Sequence, residues 1–254
     1  MNKIITCENI VKSFGEGDEK HNVLDGVSVE INEGEFVSVM GPSGSGKSTL
    51  MYTLSGMDHV DAGSVNFDGK DLSTLNENEL ADLRRIKMGF IFQQPTLLKN
   101  LNLLDNIILP LLNKNREKSP EIKERARTLM KRADITELEE RNISQASGGQ
   151  LQRVGICRAL MNNPKIIFGD EPTGALNSKS SNEIMNLLLE IHRSGTTIML
   201  VTHDIKVAAK TERVLFMIDG KIVGEHLAGA YDESRDDLKA REDRLIELLA
   251  EMKF

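Results

Sequence analysis

The stretch FVSVMGPSGSGKSTLMYTLS, residues 36–55, decides the fold. Its first five residues, Phe36–Met40, predict a buried strand, and a glycine-rich loop follows them directly. The loop, Gly41–Ser48, has the pattern G-x-x-x-x-G-K-[S/T], and the residues Lys47–Ser55 predict a helix. Glycines allow successive backbone N–H groups to turn toward phosphate oxygens at the positive end of such a helix. This segment therefore predicts a phosphate-binding loop in an α/β protein.

The residue types of the loop indicate how a nucleotide would be held. The Lys47 ammonium group can reach the β- and γ-phosphates, and the Ser48 hydroxyl is a ligand for Mg²⁺. An ordinary glycine-rich turn is the alternative, and the strand before the loop and the helix after it argue against that alternative. The loop therefore predicts a bound nucleotide and Mg²⁺. We expect the nucleotide to be bound by Gly41, Pro42, Ser43, Gly44, Ser45, Gly46, Lys47, Ser48 and Thr49.

A second apolar strand ends in two carboxylates. In the stretch IIFGDE, residues 166–171, Asp170 and Glu171 follow four residues that favour a buried strand. Beside a phosphate loop, Asp170 would hold Mg²⁺ through water, and Glu171 would orient or deprotonate the attacking water. Acidic residues often end strands, so the pair indicates a metal site and a general base only in combination with the loop.

Length and composition limit the class of protein. The chain has 254 residues, of which 39% are hydrophobic and 28% charged, as in an ordinary folded domain. Its net charge of −7 argues against a bulk attraction to nucleic acid or anionic lipid. No apolar run approaches the roughly 20 residues that span a bilayer, and Cys7 and Cys157 form neither a disulfide framework nor a metal-ligand cluster. We expect a cytosolic, mildly acidic α/β protein.

The stretch Ser147-Gly148-Gly149-Gln150 is the most specific feature. A serine hydroxyl and two glycine amides at a helix start form a second anion site. With this motif, the loop and the paired carboxylates, the sequence resembles the ABC-transporter ATPases over about residues 3–225. Ala146 stands where that family most often has Leu. The resemblance implies that two such domains dimerise head to tail, so that residues 147–150 of one close over the γ-phosphate bound to the other.

Three single residues match nucleotide-contacting positions of that family. Gln93, in the stretch FIFQQP, matches the Q-loop glutamine, which contacts metal and water and signals to the membrane subunit. His203, which follows a predicted strand, matches the switch histidine at the γ-phosphate. Phe14 matches the aromatic residue that stacks on adenine, for which a ring face suffices, although a core position is the alternative. The resemblance thus implies catalytic roles for Glu171, His203, Lys47 and Gln93, and metal-binding roles for Ser48, Gln93 and Asp170.

One position departs from the family pattern. After Glu171-Pro172-Thr173 the D-loop of the family usually ends in Asp, and this chain has Asn177 there. Asparagine keeps the hydrogen-bonding shape of aspartate and loses its charge. The exchange leaves the ATPase interpretation intact and leaves the coupling across a dimer open.

The order of the predicted elements indicates the domain organisation. Strands and helices alternate, which predicts an α/β protein with a mainly parallel sheet, and the mostly helical middle of the chain predicts a helical insertion. The resemblance implies that the core is a P-loop NTPase core of the ABC ATPase type with an N-terminal antiparallel β subdomain. We expect the ATPase domain over residues 1–231, with the insertion at about 86–160 and helices at Leu103–Asn113 and Pro120–Ala133 within it. Residues 232–254 predict a C-terminal amphipathic helix. That helix either folds onto its own domain or contacts a partner.

The resemblance also implies a function and partners. It implies a subunit that binds and hydrolyses ATP, works as a homodimer and energises a separate membrane permease. Bound to that permease, the subunit would lie at the inner face of the cell membrane. The sequences of residues 92–98 and 174–178 resemble those of lipoprotein-release and macrolide- or peptide-efflux ATPases. The sequence of the tail Arg241–Phe254 resembles that of bacitracin-type antimicrobial-peptide resistance transporters. The leucine-rich stretch Leu97–Leu104 predicts a groove for a permease helix, packing within the insertion, or both.

Other classes of function remain open at this stage. An ABC-type ATPase acting on nucleic acid or ribosomes would use the same residues, although the net charge of −7 disfavours a nucleic-acid partner. A P-loop kinase or GTPase would explain Lys47 and Ser48 and would leave Ser147–Gln150 and His203 without a role.

Overall fold

The structure, a computed structural model, describes residues 2–15, 17, 20–112 and 119–252. It separates into two compact units, of which unit 1 comprises Met1–Leu80 and Thr197–Phe254, and unit 2 comprises Ala81–Thr196. The strands are β1 (Lys3–Phe14), β2 (His21–Asn32), β3 (Phe36–Met40), β4 (Ala62–Phe67), β5 (Lys70–Asp71), β6 (Met88–Phe92), β7 (Ile166–Asp170), β8 (Thr197–Thr202), β9 (Arg213–Ile218) and β10 (Lys221–Leu227). The helices are α1 (Lys47–Leu54), α2 (Glu77–Lys87), α3 (Leu103–Ile108), α4 (Pro120–Arg132), α5 (Gly148–Leu160), α6 (Ser178–Arg193), α7 (Ile205–Ala208) and α8 (Leu238–Glu251).

Unit 1 contains an antiparallel sheet and a mostly parallel group of strands. The antiparallel sheet has the order β2-β1-β4-β5. The other strands of unit 1 follow the order β10-β9-β3-β8, in which β9, β3 and β8 are parallel and β10 is antiparallel to β9. Every residue of β3 and β8 is buried, which is why both segments are nearly continuous apolar runs.

The register of β3 and β8 sets one edge of unit 1. Met40, the last residue of β3, is aligned with Thr202, the last residue of β8. Because the two strands are parallel, Gly41 and His203 leave the sheet at the same level. The carboxyl edge of these strands therefore carries both the start of the predicted phosphate loop and the predicted switch histidine.

Unit 2 combines a parallel strand pair with helices. β6 and β7 pair in parallel, with Phe92 aligned with Asp170. Helix α5 packs against β6 and against α3, α4 and α6. In the leucine-rich stretch 97–104, Leu103 and Leu104 are buried and pack within unit 2, whereas Leu98 is exposed.

The predicted α/β architecture, with its parallel strands, N-terminal antiparallel sheet and helical segments, is present. The predicted helix Leu103–Asn113 is too long, because α3 ends at Ile108 and continues as a 3-10 turn over Leu109–Leu111. Pro110 explains this end, since proline lacks the N–H that an α-helix needs. Asn113 lies outside the described residues. Strand β10 is absent from the prediction.

The C-terminal helix α8 folds onto unit 1, which is the first of the two alternatives for the tail. Leu245 is buried in an apolar cluster with Met40, Ala208, Ala209, Val214 and Phe216. The Arg241 guanidinium donates hydrogen bonds of 2.7–3.3 Å to four backbone carbonyls, those of Ala209, Thr211, Ala228 and Gly229. Residues 253 and 254 of the predicted segment lie outside the described residues. Within the described ranges, no helix combines the length and the apolar character needed to cross a membrane.

Candidate functional site

The phosphate loop leads from β3 to a helix start that is open to an anion. Gly46 is the N-cap of α1 with φ = 99°, a left-handed conformation that favours glycine. A Cβ on Gly46 would also lie 2.5 Å from the carbonyl oxygen of Val23, so glycine is required for space as well. No side chain caps this end of α1, and its first turn holds no acidic residue. The first N–H groups of the helix are therefore oriented for an anionic ligand.

Backbone contacts preform the loop. A Cβ on Gly41 would clash with the carbonyl oxygen of Met217, in β9, so the loop backbone lies directly against that strand. The amide of Gly220 donates to the carbonyl of Ser45 at 3.0 Å. The Ser45 hydroxyl is buried and has no hydrogen-bond partner among the described residues. A phosphate oxygen would satisfy such a buried polar atom.

Lys47 lies inside the loop. Lys47 is only 7% exposed, and its Nζ atom donates to the carbonyl of Pro42 at 2.8 Å. Burial of an ammonium group is unfavourable unless anions or acceptors compensate it. A charged, buried lysine enclosed by loop backbone is thus suited to the phosphates of a nucleotide.

The other two predicted residues of unit 1 are exposed. His203 follows β8, and the next residue, Asp204, caps α7 by accepting from the amide of Lys206 at 2.8 Å. Phe14 ends β1 and is 45% exposed, so it is not part of the core. The exposure of this ring is consistent with a stacking role and excludes the alternative of a core aromatic.

In unit 2, two predicted residues approach the same glycine. Gln93 follows β6 and Glu171 follows β7, and these parallel strands end in register. A Cβ on Gly174 would lie 2.8 Å from Gln93 Nε2 and 3.1 Å from Glu171 Oε2. The two side chains therefore converge on Gly174. Sequence reasoning missed this glycine, and its only signal was its place directly after Glu171-Pro172-Thr173.

Glu171 has an unusual backbone conformation. Its φ is 47°, in the left-handed region. The other described non-glycine residues with positive φ are all Asn or Asp, which tolerate this region best, namely Asn9, Asp68, Asp134, Asn163, Asp219 and Asp236. Glutamate has no such tolerance, so the backbone at Glu171 stores strain of about 1–3 kcal/mol.

The motif Ser147–Gln150 forms a capped helix start. The Ser147 hydroxyl accepts from the amide of Gln150 at 3.3 Å, and the Gln150 side chain accepts from the amide of Ser147 at 2.9 Å. This capping box uses an acceptor lone pair of the hydroxyl and leaves its proton available to an oxyanion. Ser147 and Gly148 are exposed, and the first turn of α5 holds no acidic residue.

Asn177, the departure from the family pattern, is the N-cap of α6. Its side chain accepts from the amide of Ser180 at 2.9 Å. Asparagine and aspartate cap helices about equally well. The exchange therefore preserves the local structure of this segment.

The chain belongs to the ABC transporter family, whose model matches residues 24–174. It is 42% identical over 225 residues to the lipoprotein-releasing system ATP-binding protein LolD of Aquifex aeolicus, covering 89% of this chain and 98% of that protein. It is 44% identical to the probable syringafactin export ATP-binding/permease protein SyfD of Pseudomonas syringae and 43% identical to the macrolide export ATP-binding/permease protein MacB of Pasteurella multocida. These matches cover 88% and 87% of this chain, which spans only 34% of each of those two proteins.

The fold is that of solved ATP-binding cassettes. A dimeric cassette in a post-hydrolysis state with ADP and Pi superposes with a TM-score of 0.82 and 40% identity, over 89% of this chain and all of that chain. The predicted family, the predicted fold and the predicted ATP-binding cassette are confirmed by these matches. The roles of the individual site residues stay predictions.

Proposed function

We propose that this chain is the ATP-binding and ATP-hydrolysing subunit of an exporter and energises a membrane permease. The observation that carries the proposal is the preformed loop at the start of α1, with Lys47 buried inside it and the buried Ser45 hydroxyl without a partner among the described residues. The names of the relatives support the export direction, since one is the ATP-binding protein of a lipoprotein-releasing system and two are export ATP-binding/permease proteins.

Unit 1 supplies the groups that bind the nucleotide. The amides of α1 and the Lys47 ammonium would hold the β- and γ-phosphates, and His203 would contact the γ-phosphate. Phe14 would stack its exposed ring on adenine. The remaining loop residues would follow the phosphates with their backbone, as predicted for residues 41–49.

The residues proposed for magnesium offer suitable donors. The Ser48 hydroxyl, the Asp170 carboxylate and the Gln93 amide oxygen are hard oxygen ligands, which Mg²⁺ prefers, and the ion usually keeps several waters and shares phosphate oxygens. When bound, Mg²⁺ neutralises charge on the β- and γ-phosphates.

Unit 2 supplies the group proposed to move a proton. The Glu171 carboxylate takes a proton from water, the resulting hydroxide attacks the γ-phosphorus, and the bond to the bridging β–γ oxygen breaks to leave ADP and inorganic phosphate. Gln93 shares the surroundings of Gly174 with Glu171 and orients the same water. The amide of Gly174 donates to the Glu171 carbonyl at 3.0 Å and so helps to hold the strained backbone that directs the carboxylate.

The proposed active form is a homodimer. Ser147 and the amides of Gly148 and Gly149 would contact the γ-phosphate held by the partner's loop, since the Ser147 proton is left available by the capping box. Solved cassettes of this fold are described as dimers, one of them bound to ADP and Pi.

The proposals for the transported molecule and the location rest on the names of the relatives and on the resemblance of the tail. We propose antimicrobial peptides or lipid-linked substrates such as lipoproteins, because the relatives act in macrolide export, syringafactin export and lipoprotein release. With its permease, the chain would lie at the cytoplasmic face of the cell membrane. Co-purification of the chain with a membrane permease in detergent tests this part, and a chain found only without such a partner would contradict it.

The Glu171→Gln variant tests the catalytic part. Glutamine keeps the shape of glutamate and cannot take a proton, so ATP hydrolysis should fall about 10²-fold to 10⁴-fold. ATP binding should stay within about 3-fold because the loop of unit 1 is unchanged. With ATP and Mg²⁺, light scattering should show a stable dimer, since the γ-phosphate is not released.

A matched variant controls for the loss of one carboxylate. Glu137, an exposed glutamate of unit 2, can be changed to glutamine and should leave hydrolysis and the oligomeric state as in the wild type. Wild-type hydrolysis by Glu171→Gln would remove this residue from the mechanism. A variant that binds ATP and stays monomeric would contradict dimerisation of the isolated chain.

A further inference from the structure

A cation lies against the exposed ring of Phe14. Lys12 and Phe14 are two residues apart in β1, so their side chains project from the same face of the strand. The Nζ atom of Lys12 lies 5.3 Å from the centroid of the Phe14 ring. This is a cation–π distance, at which the ammonium is attracted to the face of the ring.

The position of the Lys12 ammonium is fixed by two oxygen atoms. It donates to Asp58 Oδ1 at 2.6 Å and to the carbonyl of His59 at 2.8 Å. The Lys12 side chain is only 12% exposed, although lysine usually extends into solvent. An ammonium group has three N–H donors, so the third remains for the face of the ring.

The segment of residues 58–61, which contains Asp58 and His59, also fixes the backbone that carries Phe14. The amide of Asp61 donates to the carbonyl of Val11 at 2.8 Å, and the amide of Ser13 donates to Asp61 Oδ2 at 2.7 Å. This second hydrogen bond lowers the pKa of the Asp61 carboxyl below its ordinary value. Residues 58–61 follow α1, the helix that begins in the phosphate loop. The end of β1 is therefore tied to the element that would hold the phosphates.

We propose that Lys12 is a positioning residue for the nucleotide base and acts through the ring of Phe14. The proposal rests on the proposed function, in which Phe14 stacks on adenine. With the ammonium on one face, the ring is held in one orientation and the other face is left for the base. A ring ordered in advance loses less side-chain entropy when the base binds, so the affinity for ATP rises.

The test compares a ligand with a base and one without. The Lys12→Met variant keeps an unbranched apolar stem and removes the charge. By calorimetry in Mg²⁺, its Kd for ATP should rise about 3-fold to 10-fold, while its Kd for inorganic triphosphate should stay as in the wild type. Lys3→Met is the matched control, because Lys3 lies on the same strand and forms an exposed pair with Glu30 at 2.7 Å. It should change neither Kd.

A double variant shows whether Lys12 acts through the ring. Phe14→Leu should weaken ATP binding by itself, and adding Lys12→Met to it should cause no further loss. A further loss in the double variant would overturn the proposal, as would an equal loss for ATP and inorganic triphosphate in Lys12→Met. If Phe14→Leu bound ATP like the wild type, the proposed adenine contact itself would be wrong.

A second variant keeps the proposal testable if Lys12→Met does not fold. Asp58→Asn keeps the size of the side chain and removes the charge that holds the ammonium. It should raise the Kd for ATP by a smaller factor than Lys12→Met and should leave the Kd for inorganic triphosphate unchanged. Folding of each variant is checked by circular dichroism, and an unchanged ATP affinity in folded Asp58→Asn would count against the proposal.

Discussion

The close approach of two side chains to Gly174 makes Gly174→Ala a sharp test of the hydrolytic site. The new Cβ would lie 2.8 Å from Gln93 Nε2 and 3.1 Å from Glu171 Oε2, whereas ordinary van der Waals contact begins at 3.4 Å. The Gln93 amide must therefore retreat by roughly 0.6 Å and the Glu171 carboxylate by roughly 0.3 Å. Both atoms are the ends of flexible side chains, so they can move without the backbone.

The expected effect is on turnover and not on stability or binding. A misplacement of about 1 Å can cost about 10²-fold in rate, so shifts of this size should lower kcat by about 10-fold. Gly174 is not among the glycines with positive φ, so alanine fits its backbone, and the free energy of unfolding should change by less than about 1 kcal/mol. The affinity for ATP measured without Mg²⁺ should be unchanged, because the phosphate loop belongs to unit 1.

The measurement is phosphate release at saturating ATP, together with the Kd for ATP and a thermal melt. Gly155→Ala is the matched control, because a Cβ on this glycine of unit 2 would meet only Pro95 Cβ, at 3.6 Å. Its turnover should stay within about 2-fold of the wild type. Wild-type turnover in Gly174→Ala would refute the roles given to Gln93 and Glu171. A parallel loss of folding would trace the defect to stability.

Two further predictions concern the stability of unit 1 and the thiols. Arg241→Ala removes the donor from four backbone carbonyls, so the free energy of unfolding in urea should fall by about 2–3 kcal/mol. Arg244→Ala is the control, because it breaks only the exposed pair with Glu247 on the same helix, and it should lower the free energy of unfolding by less than about 0.5 kcal/mol. Equal losses of stability in the two variants would contradict the anchoring role of Arg241. Burial raises the pKa of Cys7 to about 11 and of Cys157 to about 12. A soluble disulfide reagent at pH 8 should therefore label both thiols only after the protein unfolds. Rapid labelling of the folded protein would show that the thiols are accessible and would contradict the prediction.

Local signals account for what the sequence predicted well. The strand Phe36–Met40 has the predicted bounds, because an apolar run and a glycine mark its end. The helix predicted over Pro120–Ala133 ends one residue earlier and starts as predicted, because Ser119 caps it and Pro120 suits its first turn. Strand β10 escaped prediction because it alternates exposed and half-buried residues and contains Gly224, which weakens a strand pattern. The helix predicted over 103–113 is too long because Pro110 ends the regular α-helix at Ile108.

The contacts that sequence could not predict are the long-range ones. Lys12 and Asp58 are 46 residues apart, and neither residue has a neighbour in sequence that indicates the other. Gln93 and Gly174 belong to segments that meet only because β6 and β7 pair in register. Such pairs depend on tertiary packing, which a motif does not encode. The motifs thus predict candidate site residues, and the structure adds which residues lie against them.

Glu171 shows how one residue combines chemistry and strain. A residue continuing β7 would have an extended backbone, and its side chain would follow the alternation of the strand. With φ = 47°, the chain turns at Glu171 instead, and the amide of Gly174 donates to its carbonyl at 3.0 Å. The turn brings the carboxylate to Gly174 beside Gln93, where a larger residue than glycine would not fit without displacing them. Glycine or asparagine at position 171 would relieve the strain and would lose the carboxylate, so the backbone cost at this position is explained by the proton transfer proposed for it.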